Sequence, residues 1–153
     1  MKSPLEIASY FYPAVTVAAD ADFEPGKDTA TPNIEVKVSV DQVENNTYQV
    51  ALEIVLGPEN DEKRQPYAIE LIAIGIYHVD PDFPDPEKLL RLNGAAILYG
   101  AAREFIITIT SRGPWGPVTI PSISFLRSED IKPKEATKKA KKKAKKKATK
   151  NIK

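Results

Sequence analysis

The chain contains no cysteine, only one histidine, His78, and neither of the glycine-rich phosphate-binding motifs G-x-G-x-x-G and G-x-x-x-x-G-K-[S/T]. The lack of cysteine excludes disulfides, thiolate metal sites and cysteine nucleophiles, and it fits a reducing compartment. A single histidine excludes a two-histidine metal site, and its place near a predicted strand end favours a structural role. No motif indicates a catalytic centre, so we predict a protein that is not an enzyme and has no cofactor or metal.

Long apolar runs are also missing. No stretch reaches the roughly 18 apolar residues that a membrane helix needs. The first 17 residues carry only Lys2 as a charge of positive sign and lack the apolar core of a signal peptide. We therefore expect a cytoplasmic protein. Hydrophobic residues make up 42% of the 153 residues, which is enough for one domain to fold around a core.

The formal net charge of +1 hides a strong separation of charge along the chain. Residues 132–153 contain twelve lysines and one acid, Glu135, whereas residues 1–131 contain ten basic and twenty acidic residues. We therefore predict an acidic domain over residues 1–131 and a disordered, lysine- and alanine-rich tail over residues 132–153.

Two interpretations of the tail remain open. It binds polyanions such as nucleic acid or an anionic membrane surface without sequence specificity, or it folds back loosely onto the acidic domain. The candidate polyanion-binding residues are Lys138, Lys139, Lys141, Lys142, Lys143, Lys145, Lys146 and Lys147.

Four segments have patterns typical of β-strands. The first, from about Ser9 to Ala18, contains Pro13, which lacks a backbone donor and predicts an edge or bulged strand. The fourth, Tyr67 to Val79, is apolar on both faces, which predicts cover on both sides, with another subunit as one source of the second cover. Gly75 within it indicates either a bulge or a close backbone approach. Two further segments alternate apolar and polar side chains with period two, residues 34–41 and 48–56.

A helix is predicted to start at Asp85-Pro86, with aspartate at the N-cap and proline at the first helical position. It pauses at Asn93-Gly94 and resumes to Arg112, because apolar residues recur there at helical spacing. Residues 105–110 also have strand propensity, so helix and strand both remain open for them. A proline-punctuated apolar segment, residues 114–125, follows as an extended arm. Strands followed by a helix predict an α+β fold, with a four-stranded antiparallel sheet and a C-terminal helix packed on it.

Two blocks of sequence are similar to those of a known family. The first is Ile97-Leu98-Tyr99-Gly100-Ala101-Ala102-Arg103-Glu104, with Ser111-Arg112-Gly113 and then Trp115 to Phe125 after it. This block resembles the helix, the S-R-G motif and the aromatic-proline arm of SecB export chaperones. The second is Tyr67-Ala68-Ile69-Glu70-Leu71 with Gly75-Ile76-Tyr77, which resembles two strand motifs of the same family. The resemblance covers about residues 10–125 and includes the order of four strands, helix and arm.

The resemblance implies a SecB-like fold and a homotetramer built as a dimer of dimers. It also implies an ATP-independent holdase that binds unfolded preproteins or other non-native polypeptides and passes them to the SecA motor for export. By position, it implies docking of SecA at Glu70, on the face opposite to the client groove. The implied client-binding residues are Tyr67, Ile69, Leu71, Trp115, Ile120 and Phe125.

The sequence also departs from the family pattern. Gly94-Ala95-Ala96 and Tyr99-Gly100-Ala101 replace the family's Cys-Pro-Asn and Phe-Pro-Tyr, and the acids of the family's first strand have no clear counterpart. The C-terminal residues are basic where the family's are acidic, which bears on SecA docking. Two alternatives therefore stay open, a SecB-like chaperone of a toxin–antitoxin system and a nucleic-acid or membrane-surface adaptor that acts through the tail.

Overall fold

The computed structural model describes residues 1–28, 33–58 and 64–126. Four strands form one antiparallel sheet, and the helical segments follow them, so the predicted α+β class is confirmed. The predicted tail, residues 132–153, lies outside the described residues. The elements are β1 (Leu5–Ala19), β2 (Asn33–Glu44), β3 (Thr47–Gly57), β4 (Tyr67–Val79), α1 (Pro86–Leu89), a π-helical turn (Leu90–Gly94) and α2 (Ala95–Thr110). The order of the strands in the sheet is β1-β4-β3-β2.

β1 lies at one edge of the sheet, as Pro13 predicts. Its pairing with β4 shifts register between Phe11 and Ala14, on either side of Pro13, whose nitrogen has no hydrogen to donate. A second shift lies between Ile7 and Ser9. β1 starts at Leu5, earlier than the predicted start at about Ser9. The prediction missed residues 5–8 because this second shift breaks the alternating pattern that marks a strand.

The sheet has two different faces. The side that packs on α2 is called the inner face and the opposite side the outer face. Side chains of β3 and β4 alternate between them, so that every second residue of β4 is buried. The buried inner-face residues are Val50, Leu52, Ile54, Leu56, Tyr67, Ile69, Leu71, Ala73, Tyr77 and Val79. They meet Leu98, Ala102 and Ile106 of α2 in one apolar core, whose burial is the main stabilising contribution.

The helix begins as predicted. Asp85 is the N-cap, its side chain accepts a hydrogen bond from the backbone nitrogen of Lys88, and Pro86 occupies the first turn. The helix does not stop at Gly94, because the π-helical turn leads directly into α2. Residues 105–110 are helical, since the ring of Phe105 stacks on Tyr12 with centroids 4.2 Å apart. Tertiary packing thus decides between the two conformations that the local sequence leaves open.

Gly75 makes a close approach and not a bulge. β4 pairs with β3 in unbroken register through this position. The Tyr77 ring folds over Gly75, so a Cβ atom there would lie 2.6 Å from the Tyr77 Cε2 atom. The Tyr77 hydroxyl donates a 2.7 Å hydrogen bond to the carbonyl of Gly94 in the π-helical turn. Gly75 therefore makes room for a tyrosine that ties the sheet to the helix.

The outer face of β4 carries three isoleucines between Glu70 and His78 and is only partly covered. Ile72 is 38% exposed and Phe11, on the neighbouring β1, is 47% exposed. Ile74, opposite Phe11, and Ile76 are half-buried. Cover of this face by another subunit remains a prediction. Within the three described ranges, no helix is both long and apolar enough to cross a membrane.

Candidate functional site

After α2 the chain turns back along the helix as an extended segment, residues 114–126, called the arm. The backbone nitrogen of Val118 donates to the Thr110 hydroxyl at 2.9 Å, and the carbonyl of Ile120 lies opposite Arg103. Successive arm residues therefore contact helix residues of decreasing number, so the arm runs antiparallel to α2. Ile120 is fully buried and anchors the middle of the arm in the core.

Two side chains of α2 bind the backbone of the arm. Arg103 Nε donates to the carbonyl of Ile120 at 3.1 Å, and the Tyr99 hydroxyl makes a short hydrogen bond to the carbonyl of Pro121. Burial raises the pKa of Tyr99, and the nearby charge of Arg103 lowers it in part. The Tyr99 hydroxyl is thus a protonated donor at neutral pH. The ring of Phe125 meets the edge of the Tyr99 ring at a centroid distance of 5.8 Å.

Tyr67 and Trp115 fix the start of the arm. The Tyr67 hydroxyl donates to the carbonyl of Gly116 at 2.9 Å and accepts from the backbone nitrogen of Trp115 at 3.1 Å. The Trp115 indole Nε1 donates to the carbonyl of Asp20 at 2.8 Å, and its ring meets Phe23 edge-on at 5.5 Å. Trp115 therefore joins the arm to the chain that follows β1.

The six residues that the resemblance implies for client binding fall into two groups. Four are buried within the single chain, Tyr67, Ile69, Leu71 and Ile120. Trp115 and Phe125 are half-buried and lie at the two ends of the arm. The structure brings the arm and the start of β4 together through Tyr67, and client contact by these six residues stays a prediction.

Glu70 lies on the outer face, opposite to its neighbours Ile69 and Leu71. Its row across the sheet contains Thr16 of β1 and Val55 of β3. It is exposed and borders a shallow depression, which is lined by Ala14, Thr16, Glu53, Ile54, Val55, Glu70, Leu71 and Ile72. Glu70 and the candidate client residues of β4, Tyr67, Ile69 and Leu71, therefore lie on opposite faces of the sheet. SecA docking at Glu70 remains a prediction.

The remaining candidates are the single histidine and the lysines near the C-terminus. His78 is exposed, and its Nδ1 lies 3.1 Å from the Thr47 hydroxyl on the neighbouring strand. Among residues 1–28, 33–58 and 64–126, no group of three or more His, Asp or Glu side chains is placed to hold a metal ion. The predicted polyanion-binding residues lie outside the described residues, Lys138, Lys139, Lys141, Lys142, Lys143, Lys145, Lys146 and Lys147.

Sequence reasoning did not assign a role to Tyr99 or Arg103. Their spacing of four residues places both on one face of a helix, and that spacing was readable. Their partners are backbone carbonyls on the arm, which no side-chain pattern reveals. The sequence therefore shows the spacing of the two donors and not the acceptors that they bind.

The fold and the arm define a class of α+β protein in which a four-stranded antiparallel sheet is covered on one face by a helix and a returning extended segment. The family model described as preprotein translocase subunit SecB matches residues 16–127, and the chain belongs to this family. A curated relative, the protein-export protein SecB of Saccharophagus degradans, is 26% identical over 97 residues. The match covers 61% of this chain and 58% of the length of that relative.

A solved structure is also similar. It is a SecB-like chaperone of Mycobacterium tuberculosis in complex with a peptide from an antitoxin. The superposition has a TM-score of 0.64 at 17% sequence identity, and it covers 79% of this chain and 91% of the other. At this identity the similarity establishes the fold.

Proposed function

We propose that this SecB-family chain is an ATP-independent holdase, which binds preproteins or other non-native polypeptides in the cytoplasm and catalyses no reaction. The observation that carries the proposal is the apolar inner-face row of β2. Its members, Ile34, Val36, Val38 and Val40, are only half-buried. A holdase needs such apolar surface for many different clients.

The position of β2 in the sheet supports binding of extended chains. α2 packs on β3 and β4, whereas β2 meets the π-helical turn, so much of the inner-face row of β2 lies beyond α2. Among the described residues, β2 pairs only with β3, which leaves the backbone groups of its other side without a strand partner. An extended client would add main-chain hydrogen bonds at such an edge and bury side chains in the row beside it. Both contributions tolerate many client sequences.

The arm is the second part of the proposed client site. Trp115 and Phe125 are half-buried aromatic side chains at its two ends. Aromatic rings supply large contact areas and adapt to different partners. The proposed client residues therefore remain Tyr67, Ile69, Leu71, Trp115, Ile120 and Phe125, of which Tyr67, Ile69, Leu71 and Ile120 are buried.

The outer face is the proposed partner surface. Glu70 is exposed there, beside the partly exposed Ile72. We propose that SecA docks on this face through Glu70. The proposed homotetramer finds support in the partly exposed apolar residues of α2, of which Ile97 is 48% exposed.

A second candidate is a SecB-like chaperone that serves a toxin–antitoxin system. The similarity in fold to the M. tuberculosis chaperone, which was solved with an antitoxin peptide, favours it. The lysines of residues 132–153 also differ from the acidic end expected of an export chaperone. The two candidates share the holdase activity and differ only in the client.

The first experiment compares client affinity of the full chain with that of a protein ending at Ile131. A permanently unfolded polypeptide, such as reduced and carboxymethylated α-lactalbumin, serves as the client at moderate salt. We expect both proteins to bind it and to suppress aggregation, since the apolar surface lies in residues 1–126. Binding only by the full chain, abolished by salt, would mean that the tail acts by charge alone. The protein would then be a polyanion adaptor and not a holdase.

A further inference from the structure

We propose that Tyr99 and Arg103 form a binding site for the backbone carbonyls of an extended polypeptide. In the free protein the arm fills this site, and an apolar client segment displaces it. The inference rests on the proposed holdase function and specifies how the client site is regulated.

The donors of this site point at the backbone and not at side chains. Arg103 Nε and the Tyr99 hydroxyl bind the carbonyls of two consecutive residues, Ile120 and Pro121. Tyr99 and Arg103 are one helical turn apart, so the donor pair is held on a rigid element. Every residue of every polypeptide carries a carbonyl acceptor. A site of this kind therefore recognises an extended chain whatever its sequence.

The arm has the properties of a bound peptide. Its apolar side chains, Val118, Ile120, Ile123 and Phe125, are buried or half-buried against the domain. Among the described residues, no backbone–backbone hydrogen bond joins residues 117–126 to the rest of the protein. By contrast, β4 pairs along its length with β1 and β3. The arm is therefore held by hydrogen bonds to side chains of the domain and by apolar packing, so it can leave the domain without breaking any strand pairing.

The two ends of the arm are attached differently. Trp115 is fixed by two hydrogen bonds, from its backbone nitrogen to the Tyr67 hydroxyl and from its indole Nε1 to the carbonyl of Asp20. Gly116 follows with a φ of 76°, a left-handed conformation that glycine adopts without strain. Beyond it, the arm is attached through hydrogen bonds of its backbone to Thr110, Arg103 and Tyr99 and through the buried side chain of Ile120. Displacement thus begins after Gly116, while Trp115 stays in place.

The absence of cysteine makes this motion measurable in the full chain. Spin labels are attached to Ser122→Cys on the arm and Ala96→Cys on α2, both at exposed positions. The matched control pair is Ala96→Cys with Ser39→Cys, which lies on the outer face of β2. Reduced and carboxymethylated α-lactalbumin is the client. We expect client binding to lengthen and broaden the spin–spin distance of the arm pair and to leave the control pair unchanged.

Two substitutions separate the arm from the site beneath it. Ile123→Ala loosens the arm only, because Ile123 packs against the core and is not one of the proposed client residues, whereas Arg103→Met removes a donor that both arm and client use. Ile123→Ala should tighten client binding by roughly fivefold, because apparent affinity rises with the fraction of molecules whose site is open. Arg103→Met should also loosen the arm in the spin-label measurement and gain no affinity.

Three results would overturn the inference. The arm pair keeps its distance when client binds, Ile123→Ala weakens client binding, or Arg103→Met gains as much affinity as Ile123→Ala. The first two would make the arm a fixed wall of the client site. The third would limit Arg103 to holding the arm. If the unsubstituted chain bound no client at all, the holdase proposal itself would fail, which is a different result from any of these three.

Discussion

The hydroxyl of Tyr67 accepts a hydrogen bond from the backbone nitrogen of Trp115 at 3.1 Å, across 48 positions of sequence. The same hydroxyl donates to the carbonyl of Gly116, so one atom joins the first residue of β4 to the start of the arm. Gly113 lies directly against this hydroxyl and has no space for a Cβ atom. The turn from α2 into the arm is therefore built around a single buried tyrosine.

Tyr67→Phe should destabilise the domain without changing its core packing. The substitution removes the hydroxyl and leaves the backbone groups of Trp115 and Gly116 without their partner. Loss of one partner from such buried groups costs about 1–3 kcal/mol in the free energy of unfolding. Urea unfolding measures it, with Tyr10→Phe, at a side chain that is 52% exposed, as the matched control. Equal unfolding free energies for the two variants would contradict the role assigned to the Tyr67 hydroxyl.

Trp115→Ala should weaken client binding while the domain remains folded. The indole is half-buried and outside the helix and strands, so its loss removes aromatic surface at the proposed client site. It also removes the hydrogen bond to Asp20 and the contact with Phe23. Trp115→Phe is the informative companion, because it keeps a ring and loses only the Nε1 donor.

Calorimetric titration with the unfolded client, together with a circular dichroism spectrum, checks this prediction. Unchanged client affinity in a folded Trp115→Ala protein would remove Trp115 from the client site. Loss of the folded spectrum would instead assign the residue a structural role through its bond to Asp20.

The sequence predicted the elements whose signals are local. β4 has the predicted bounds, Tyr67–Val79, because its apolar residues populate both faces and the segment is flanked by turns. The helix start at Asp85 was readable because the capping side chain and Pro86 are neighbours in sequence. Likewise, Pro13 predicted an edge or bulged strand, and β1 is an edge strand whose register shifts around Pro13.

What the sequence could not predict depends on contacts distant along the chain. Residues 105–110 are helical because Phe105 packs on Tyr12, more than 90 residues earlier in the chain. The contact of Arg103 with the Ile120 carbonyl uses a backbone atom that every residue has. Only the family resemblance placed the candidate client residues near one another, since their own pattern is that of an ordinary core.

Glu70→Lys should leave client binding unchanged and affect only the docking of a partner. The side chain is exposed on the outer face, whereas the proposed client residues of β4 are on the inner face. Reversal of a charge on an exposed surface changes partner association through electrostatic complementarity. Glu104→Lys, at an exposed position of α2, is the matched control. Client affinity is measured for both variants, and purified SecA is the partner in a parallel binding measurement. A collapse of client binding in Glu70→Lys would mean that the faces are wrongly assigned.

Gly75→Ala and Gly100→Ala should change stability in opposite directions. A Cβ at Gly75 would lie 2.6 Å from the buried Tyr77 ring, whereas nothing lies within 4 Å of a Cβ at Gly100. Crowding a packed core costs about 1–3 kcal/mol. Replacement of glycine by alanine in an exposed helix stabilises it by about 0.5–1 kcal/mol. Urea unfolding of both variants checks the signs. A stabilising Gly75→Ala would contradict the close approach of the Tyr77 ring.

Stability should fall steeply at alkaline pH because of Tyr77. Burial raises the pKa of Tyr77 from 10.0 to about 12. The unfolded chain therefore releases this proton near pH 10, while the folded chain still holds it. The folded state binds more protons between these values, so the free energy of unfolding is unaffected below pH 10 and decreases as the pH rises towards 12. The decrease attributable to this group is on the order of 2 kcal/mol.

Urea unfolding from about pH 8 to about pH 11.5 measures this slope. Tyr77→Phe has no proton to lose, so its unfolding free energy should decline less over the alkaline part of the range. At neutral pH the variant should be less stable, because the Gly94 carbonyl loses the hydroxyl that donates to it at 2.7 Å. Tyr10→Phe, at an exposed side chain, serves as the control for removal of a tyrosine hydroxyl. If Tyr77→Phe kept the full alkaline slope of the unsubstituted chain, the burial of Tyr77 would not be the source of that slope.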